Sequence, residues 1–584
     1  MYNQLISEQQ SILNKLQKKS RFLSIARIFL FAGSVYLFYL MMYHRENSYG
    51  WWALLFIVLF VICVNIYLKV QSKIKYHSVL KQINQDEIDF LKGEKKFDEG
   101  KEFINPQHPY SYDLDLFGLQ SIFQYINRTG TSLGKKQLAN DLQSINSEQK
   151  IKLRQEVIKE LSENLAFRQK FQALALLANA DNQKDLAIKK WTESPIEKPH
   201  KAIQYLFIIV PILFFISVIG LFFELPFTST RLSIFLFSLN LFLAGSLTKL
   251  ITKEIGKSDQ IANSLQQYSH MIEVFSSTAF TSDELNKLQK ELNEKQATLA
   301  VKQLANIFEK LNTIANLFVF IALNGTIQYH FWVYKQLIQW KKNYKNDLWQ
   351  WIEVIGKIES YNSFANYAYN HSTYTYPEIT TNEITFHALG HPLINEKKRI
   401  KNSIDFTDKQ FYILTGSNMS GKSTFLRTIG INLVLGYAGA PIDCLSAKIT
   451  PIPLWVSMRL TDSLSDSESY FYAEVKRLQK IVEEAAQQPI FILLDEILKG
   501  TNSDDKKSGT IGVIEKLQKF NVKGMLATHD LEVCAISKKY EQVMANKRFE
   551  VEIIEDELHF DYLLKDGICE NKNATFIMKK MQII

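Results

Sequence analysis

The sequence predicts an α/β domain in the C-terminal third, an all-helical region before it, and two helical hairpins of membrane-spanning length within the rest of the chain. Three observations predict this. Four long apolar runs fall into two pairs. Apolar residues elsewhere in the first two thirds recur at helical spacing. Past Pro377, short β-type runs alternate with helical ones. With 584 residues the chain is too long for one core, so two or more domains are expected.

The first pair of runs is Leu23 to Tyr43 and Trp51 to Leu68, joined by the polar HRENSYG segment. The second is Ile203 to Phe223 and Leu232 to Leu250, joined by a turn with Pro226, Thr228 and Thr230. Each run approaches the roughly 20 residues a helix needs to cross a bilayer and holds few charges, which favours spans over soluble core helices. Lys15, Lys18, Lys19 and Arg21, then Lys69, Lys73 and Lys75, flank the first pair, while Lys198, Lys201, Lys249, Lys253 and Lys257 flank the second. The positive-inside rule then puts the outer ends of both hairpins in the cytoplasm. Trp51 and Trp52 stand where an interfacial belt belongs, Arg27 can snorkel to headgroups, and Pro211 is tolerated in a membrane helix. The 20 polar residues before the first run argue against a cleavable signal. A fifth run, Leu317 to Val333, contains Asn324, Thr326, Gln328 and His330 and reads as a buried helix.

The stretches Glu148 to Ala178 and Ser282 to Asn316 are amphipathic and helical, the second with a start signal in which Ser282 or Asp283 is the cap. Glu383 to Ala388, Phe411 to Thr415 and Ile490 to Leu494 read as strands. Lys and Arg number 68 against 60 Asp and Glu, a surplus of +8 that suits nucleic acid or an anionic membrane and decides between neither. Cys63, Cys444, Cys534 and Cys569 are far apart, which suggests neither a disulfide framework nor a zinc site and fits a reducing interior.

Three motifs carry chemistry. Gly416-Ser417-Asn418-Met419-Ser420-Gly421-Lys422-Ser423-Thr424 follows the apolar FYILT and precedes the helix-like FLRTIGINLVL, the context of a phosphate-binding loop. Its glycines let N–H groups turn onto phosphates, and the helix N-terminus favours negative charge. Lys422 is expected to reach the β- and γ-phosphates of ATP, and Ser423 to place its hydroxyl on Mg²⁺. The run PIFILLDE is a buried parallel strand ending in Asp495 and Glu496, acids that need a cation or a catalytic task. Asp495 is assigned to the Mg²⁺ shell, and Glu496 to orienting and deprotonating the attacking water. Leu526-Ala-Thr528-His529-Asp530 is the third. Alone, His529 reads as a structural histidine; behind the other two motifs it reads as a γ-phosphate sensor.

Together these segments resemble the MutS family of mismatch-repair ATPases: TGSNMSGKSTFLRTIG its phosphate loop, Asp495-Glu-Ile-Leu-Lys-Gly500-Thr501 its acidic strand and loop, and ATHD its histidine motif. Phe386-His-Ala-Leu-Gly390-His391-Pro392-Leu393 is similar to the segment opening its ATPase domain. Tyr112 to Phe117, Phe123 to Gly134 and Ile358 to Ala365 look like parts of its helical core, so the likeness covers roughly residues 110 to 575. The resemblance implies an α/β P-loop ATPase domain of ABC type, an all-α core and lever domain, and two transmembrane hairpins as additions. The expected divisions are 1–77 (N-terminal helix and first hairpin), 78–109 (linker), 110–384 (helical core with the second hairpin at 202–250) and 385–584 (ATPase). It also implies that Ser469, in the signature-like Ser469-Tyr-Phe-Tyr-Ala-Glu474, reaches nucleotide on the opposite subunit of a homodimer with two composite sites. Tyr562 falls where the family carries an aromatic or histidine against adenine; a core tyrosine is the alternative.

The sequence departs from the pattern at Leu498 (usually glycine), Asn502 (usually serine) and Ser467 (usually the signature glycine), which bears on contact across the dimer. No segment resembles the family's mismatch-reading domain, its Phe-X-Glu wedge, its separate DNA clamp or its C-terminal extension, and no Lys/Arg helix interleaved with aromatics is present. The expectation is a multi-pass protein of the inner, cytoplasmic membrane with its ATPase domain in the cytoplasm, coupling ATP turnover to dimer closure and lever movement, with double-stranded DNA as a partner of the mismatch-repair type. The alternative is an ATP-driven membrane machine without a DNA role. A transporter needs more contiguous spans and a glycine-rich signature, which Asp466-Ser-Glu-Ser469 does not supply.

Overall fold

A computed structural model describes the chain except residues 95, 179, 196, 224–228, 256–257, 418, 460–469, 555–556 and 570–584. Two long antiparallel helices open it, α1 (Tyr2–His44) and α2 (Asn47–Leu91). The chain reverses at Arg45, whose φ of 54° is left-handed. Leu23, Cys63 and Val70 form the seam between them, while Phe29, Tyr36 and Trp51 face outward. Large apolar side chains thus cover much of the outer surface of the pair. Helix α2 runs on to Leu91, so the expected linker begins as helix.

Beyond its apolar part the hairpin is fastened to the helical region by a buried ion pair. Glu87 binds Arg128, both side chains 3% exposed, and Asn366 and Asn370 donate to the same carboxylate at 3.0 and 3.1 Å. The Arg128 guanidinium lies 3.6 Å from the Phe97 ring centroid. Burying this pair requires that each remaining hydrogen-bonding atom be served, and here the asparagines and backbone carbonyls do so.

The helical region comprises α3 (Ser132–Gln143), α4 (Glu148–Glu163), α5 (Leu165–Ala178), α6 (Asn182–Glu193), α7 (Lys201–Phe222), α8 (Thr230–Ile255), α9 (Ser258–Ser277), α10 (Asp283–Glu294), α11 (Ala297–Asn312), α12 (Tyr329–Tyr344) and α13 (Leu348–Asn370). The helical stretch from Glu148 to Ala178 is two helices that meet at Asn164, and α10 starts after Ser282 as expected. The Ser282 side chain makes no capping bond; instead Glu160 accepts from the amides of Thr281 and Ser282. Helix α13 is the spine. It packs on α3 and α4, and its Glu359 accepts from the amides of Gly130 (2.6 Å) and Thr131 (3.2 Å) and from the Thr131 hydroxyl. Burial pushes the Glu359 carboxyl up to about 7 against those bonds.

Helices α1, α2, α7 and α8 are long and apolar enough to cross a membrane. The α7/α8 pair is joined by a 2.6 Å hydroxyl contact between Ser217 and Ser233; Pro226 and Thr228 lie outside the described residues. The fifth run corrects the sequence expectation. Leu317 to Val333 is not one buried helix: it breaks at Gln328 (φ 54°), and Leu317 and Phe318 are 66% and 85% exposed. Of its polar residues Asn324, Gln328 and His330 are buried and Thr326 is half-buried, because the break folds inward rather than because the whole segment lies inside.

The C-terminal part is mixed α/β. Strands β1 (Glu378–Ile379), β2 (Thr385–Leu389), β3 (Asn402–Asp405), β4 (Phe411–Thr415), β5 (Ser446–Ile449), β6 (Leu454–Ser457), β7 (Ile490–Asp495), β8 (Val522–Ala527), β9 (Met544–Arg548), β10 (Val551–Ile554), β11 (Glu557–Phe560) and β12 (Lys565–Asp566) form three sheets. The largest has the order β12-β9-β4-β8-β7-β6, parallel except at β12. Strands β4, β7 and β8 are buried at every residue, as expected of a sheet covered on both faces. Helices α14 (Lys422–Tyr437), α15 (Tyr470–Ala485) and α16 (Ser503–Leu517), with two short helices at Leu531–Cys534 and Ile536–Lys539, accompany the sheets.

Glu87→Ala leaves Arg128 buried without its carboxylate and is expected to cost about 3 kcal/mol, with Arg128→Met in the same chain recovering part of the loss. Thermal unfolding of the purified protein followed by tryptophan fluorescence measures both.

Candidate functional site

Three parallel strands end together, and the three motifs occupy their ends. Register pairs Leu414 of β4 with Ala527 of β8, and Asp495 of β7 with the same Ala527. Side chains following these strands therefore project into one crevice, where ligands of open α/β sheets bind. The loop after β4 turns through Gly416 (φ 157°) and Gly421 (φ 97°), and Gly421 caps α14. A Cβ at Gly421 would stand 3.1 Å from the Tyr562 ring. The φ favours glycine there, and the ring leaves a Cβ little room.

The structure brings Lys422, Ser423, Asp495, Glu496 and His529 together. Lys422 is 5% exposed and donates to the carbonyls of Gly416 (2.7 Å) and Ser417 (3.0 Å). Burial lowers its pKa, opposed by the carboxylates of Glu496 and Asp495. Ser423 Oγ donates to Asp495 Oδ2 at 2.5 Å. Glu496 has a left-handed φ of 48°, its amide donates to Ala527 O at 2.9 Å, and its Oε1 lies 3.0 Å from His529 Nδ1. Burial by itself would raise the Glu496 carboxyl; His529, with Lys499 and Lys422, brings it below the usual glutamate range. Glu496 is therefore ionised at neutral pH. A backbone held in the left-handed region by a residue other than glycine is strain of the kind that collects at working sites.

The other loop residues are placed as follows. Ser417 and Ser420 have buried hydroxyls without a hydrogen-bond partner among the described residues, Met419 (φ 70°) is 83% exposed, and Thr424 faces the neighbouring cleft. Asn418, Ser467 and Ser469 lie outside the described residues. The cleft, about 380 Å³, is lined by Leu389, His391, Ile400, Phe425, Phe549 and Tyr562 among others. Tyr562 is on its wall, 43% exposed, and not in the core; Asn402 holds it by accepting from Leu564 N (2.8 Å) and donating to Tyr562 O (3.0 Å). Burial, followed by the charges of Arg399 and Arg427, lowers His391 to about 4, so its ring is neutral. The cleft has an apolar wall, a flat ring and a glycine loop at its mouth, which suits a nucleotide.

Hard oxygen donors from Ser423 and Asp495 fit Mg²⁺, which takes one or two protein groups and completes its shell with phosphate and water. Among the described residues no group of three or more His, Cys, Asp or Glu could hold a metal unaided. The unpartnered Ser417 and Ser420 hydroxyls beside the Lys422 ammonium fit a phosphate chain.

Two of the departures have structural accounts. Leu498 has φ 61°, the reason glycine suits this position, and its conformation costs about 1 kcal/mol. Sequence reasoning missed what supports it: Glu474, whose carboxylate accepts from the amides of Leu498 (2.6 Å) and Lys499 (3.1 Å). Only the glycine departure hinted that this loop needed a brace. Asn502 caps α16 by accepting from Asp505 N at 2.8 Å, which a serine would do equally well. Also missed was Asp113, which accepts from Met458 N (2.7 Å), Arg459 N (2.9 Å) and Arg477 (2.9 Å), joining the helical region to the strand that leads into residues 460–469.

Fold and site define a mixed α/β domain with a glycine-rich strand–loop–helix facing two acids and a histidine. Residues 412–582 match the family model "MutS domain V". The chain is 26% identical over 316 residues to the DNA mismatch repair protein MutS of Fervidobacterium nodosum, covering 53% of this chain and 35% of that one. It is 30% identical over 232 residues to MutS of Fusobacterium nucleatum, covering 38% and 25%. Against Endonuclease MutS2 of Lactococcus lactis it is 30% identical over 256 residues, covering 43% and 32%. These likenesses support kinship with the MutS family, and the matched region spans about a quarter to a third of the relatives' length.

Glu474→Ala leaves two loop amides without an acceptor and releases Leu498 from its strained φ. On an ATPase reading of this site, turnover of ATP is expected to fall about tenfold while ATP affinity changes less than about twofold, since the loop follows Glu496 and does not line the cleft beside Tyr562. Steady-state rates and equilibrium nucleotide binding separate the two.

Proposed function

We propose that this protein is a membrane-anchored ATPase of the MutS type, in which ATP binding and hydrolysis drive closure of a homodimer and movement of the helical region. The observation that carries the reading is the assembly, within hydrogen-bond reach, of Ser423 with Asp495 and of Glu496 with His529 behind a glycine loop.

On this reading the amides of residues 416 to 424 and the Lys422 ammonium bind the phosphates, and the wall formed by Tyr562, Phe425 and Phe549 receives the base. Lys422 now donates to two loop carbonyls, bonds that it exchanges for bonds to phosphate oxygens. Ser423 and Asp495 are the residues to hold Mg²⁺, which when bound draws charge from the phosphate oxygens. Glu496, kept ionised, accepts the proton of the attacking water; His529 fixes the direction of that carboxylate. Ser469 completes the site from the second subunit.

DNA is the proposed partner because the similar proteins are named for mismatch repair and endonuclease activity. Membrane anchoring is proposed from the length and apolar surface of α1, α2, α7 and α8. The alternative, a membrane machine indifferent to DNA, is favoured by the four helices long and apolar enough to cross a membrane.

Glu496→Gln is expected to lower the hydrolysis rate about a hundredfold or more while retaining ATP. Lys422→Ala is expected to weaken ATP binding about tenfold or more. Wild-type turnover in the first variant removes Glu496 as base, and unchanged affinity in the second removes the phosphate-loop reading. With Glu496→Gln as blank, ATPase of the solubilised protein is measured with homoduplex and mismatched DNA at two salt concentrations. Stimulation that fades with salt supports the DNA reading; no response supports the alternative.

A further inference from the structure

The segment between α11 and α12 is built inside out relative to a water-facing turn. After a short turn at Thr313–Ala315, Leu317–Ile327 forms a helical arm bent by 95° from the preceding helix. Its apolar side chains point outward: Leu317 is 66% exposed, Phe318 85%, Ile321 38% and Ile327 41%. Asn324, and Gln328 at its end, point inward and are fully buried, while Thr326 turns its hydroxyl back onto Ala322 O at 2.7 Å. Soluble turns have the opposite polarity, because water satisfies their polar groups and apolar ones are withdrawn.

The inward polar groups bind α8. Gln328 donates to Asn240 O at 2.6 Å and Oδ1 at 3.1 Å, and Asn240 donates to Gly325 O at 3.1 Å. Asn324 serves the arm itself, donating to Phe320 O (3.0 Å) and accepting from His330 N (3.0 Å). A break in a helix at membrane depth survives only where protein satisfies the freed backbone groups, and these bonds do that. Phe207 of α7 stacks on Phe331 with centroids 4.6 Å apart. Asn240 lies nine residues before Lys249 in α8, about 14 Å along the helix. The arm therefore meets α8 deep within the candidate span and not at its basic end.

We infer that Leu317–Ile327 is a re-entrant arm that enters the lipid bilayer beside the α7/α8 hairpin, with Leu317, Phe318 and Ile321 in contact with phospholipid acyl chains. Eleven helical residues extend about 16 Å, half of the roughly 30 Å needed to cross. Lys302 and Lys310 before the arm and Lys335, Lys341 and Lys342 after it put both ends on the same side. The arm joins α11 and α12, which pack within the helical region, so movement of that region reaches the membrane here as well as through the hairpins. The inference rests on the membrane reading of α7 and α8.

The test places a nitroxide on Phe318→Cys, on Phe242→Cys of α8 (Phe242 is 76% exposed) and on Lys290→Cys of α10, each in the full chain reconstituted in phosphatidylcholine–phosphatidylglycerol vesicles. Collision with oxygen is compared with collision with a water-soluble nickel complex. The expected result is an oxygen-to-nickel ratio at Phe318→Cys several-fold above that at Lys290→Cys and close to that at Phe242→Cys. A ratio at Phe318→Cys like that of Lys290→Cys, with Phe242→Cys still high, overturns the arm and leaves the hairpin reading standing. Low collision with both reagents at Phe318→Cys means a protein covers the arm and also overturns it. A low ratio at Phe242→Cys as well sinks the membrane reading itself. Leu317→Cys repeats the measurement should Phe318→Cys fail to yield folded protein.

Discussion

The end of β7 is the constraint on which the site depends. Six consecutive buried residues bring Asp495 to the crevice, and Glu496 follows in a left-handed backbone conformation. Carboxylates there are tolerable only with partners, and each has one: Ser423 for Asp495, His529 for Glu496. Those partners come from the helix after β4 and the loop after β8. The acids thus specify which strands must be neighbours and how they must be in register. Glu474 extends the same logic by bracing the loop that leaves the acids.

The α/β domain and the helical region share charged and polar seams and not only apolar packing. Asp113 binds two backbone amides and Arg477, Asp115 pairs with Arg459 at 2.5 Å, and Arg154 donates to Ala438 O at 2.6 Å where α14 ends. Helix α14 begins at the glycine-rich loop and ends at the carbonyl that Arg154 binds, so one element links the site to the helical region. On the far side, Glu87 and Arg128 fasten the first hairpin to the same region, with Asn366 and Asn370 contributed by α13.

Much was legible in the sequence. The four apolar runs, the helical start at Ser282, the strands at Phe411 and Ile490 and the three motifs all rest on local signals: run length, period and fixed spacing. The reading failed where an outcome depended on a remote partner. Leu317 to Val333 has the composition of a buried helix, yet only Asn240, some 85 residues away, determines that Gly325 and Gln328 fold inward and Phe318 stays out. Tyr562 was open between core and cleft until Asn402 and Gly421 placed it.

By itself, then, the sequence determined the order of elements and which glycines, acids and histidine stand at the strand ends, because turn glycines, apolar periods and a strand ending in acids act over a few residues. Tertiary structure alone decided which groups face one another: that Ser423 meets Asp495 across 72 positions, that Glu474 supports Leu498, and that a polar break turns toward α8. Those decisions come from burial, which leaves a polar group costly until a partner is found, and the partner's place in the chain is not written near it.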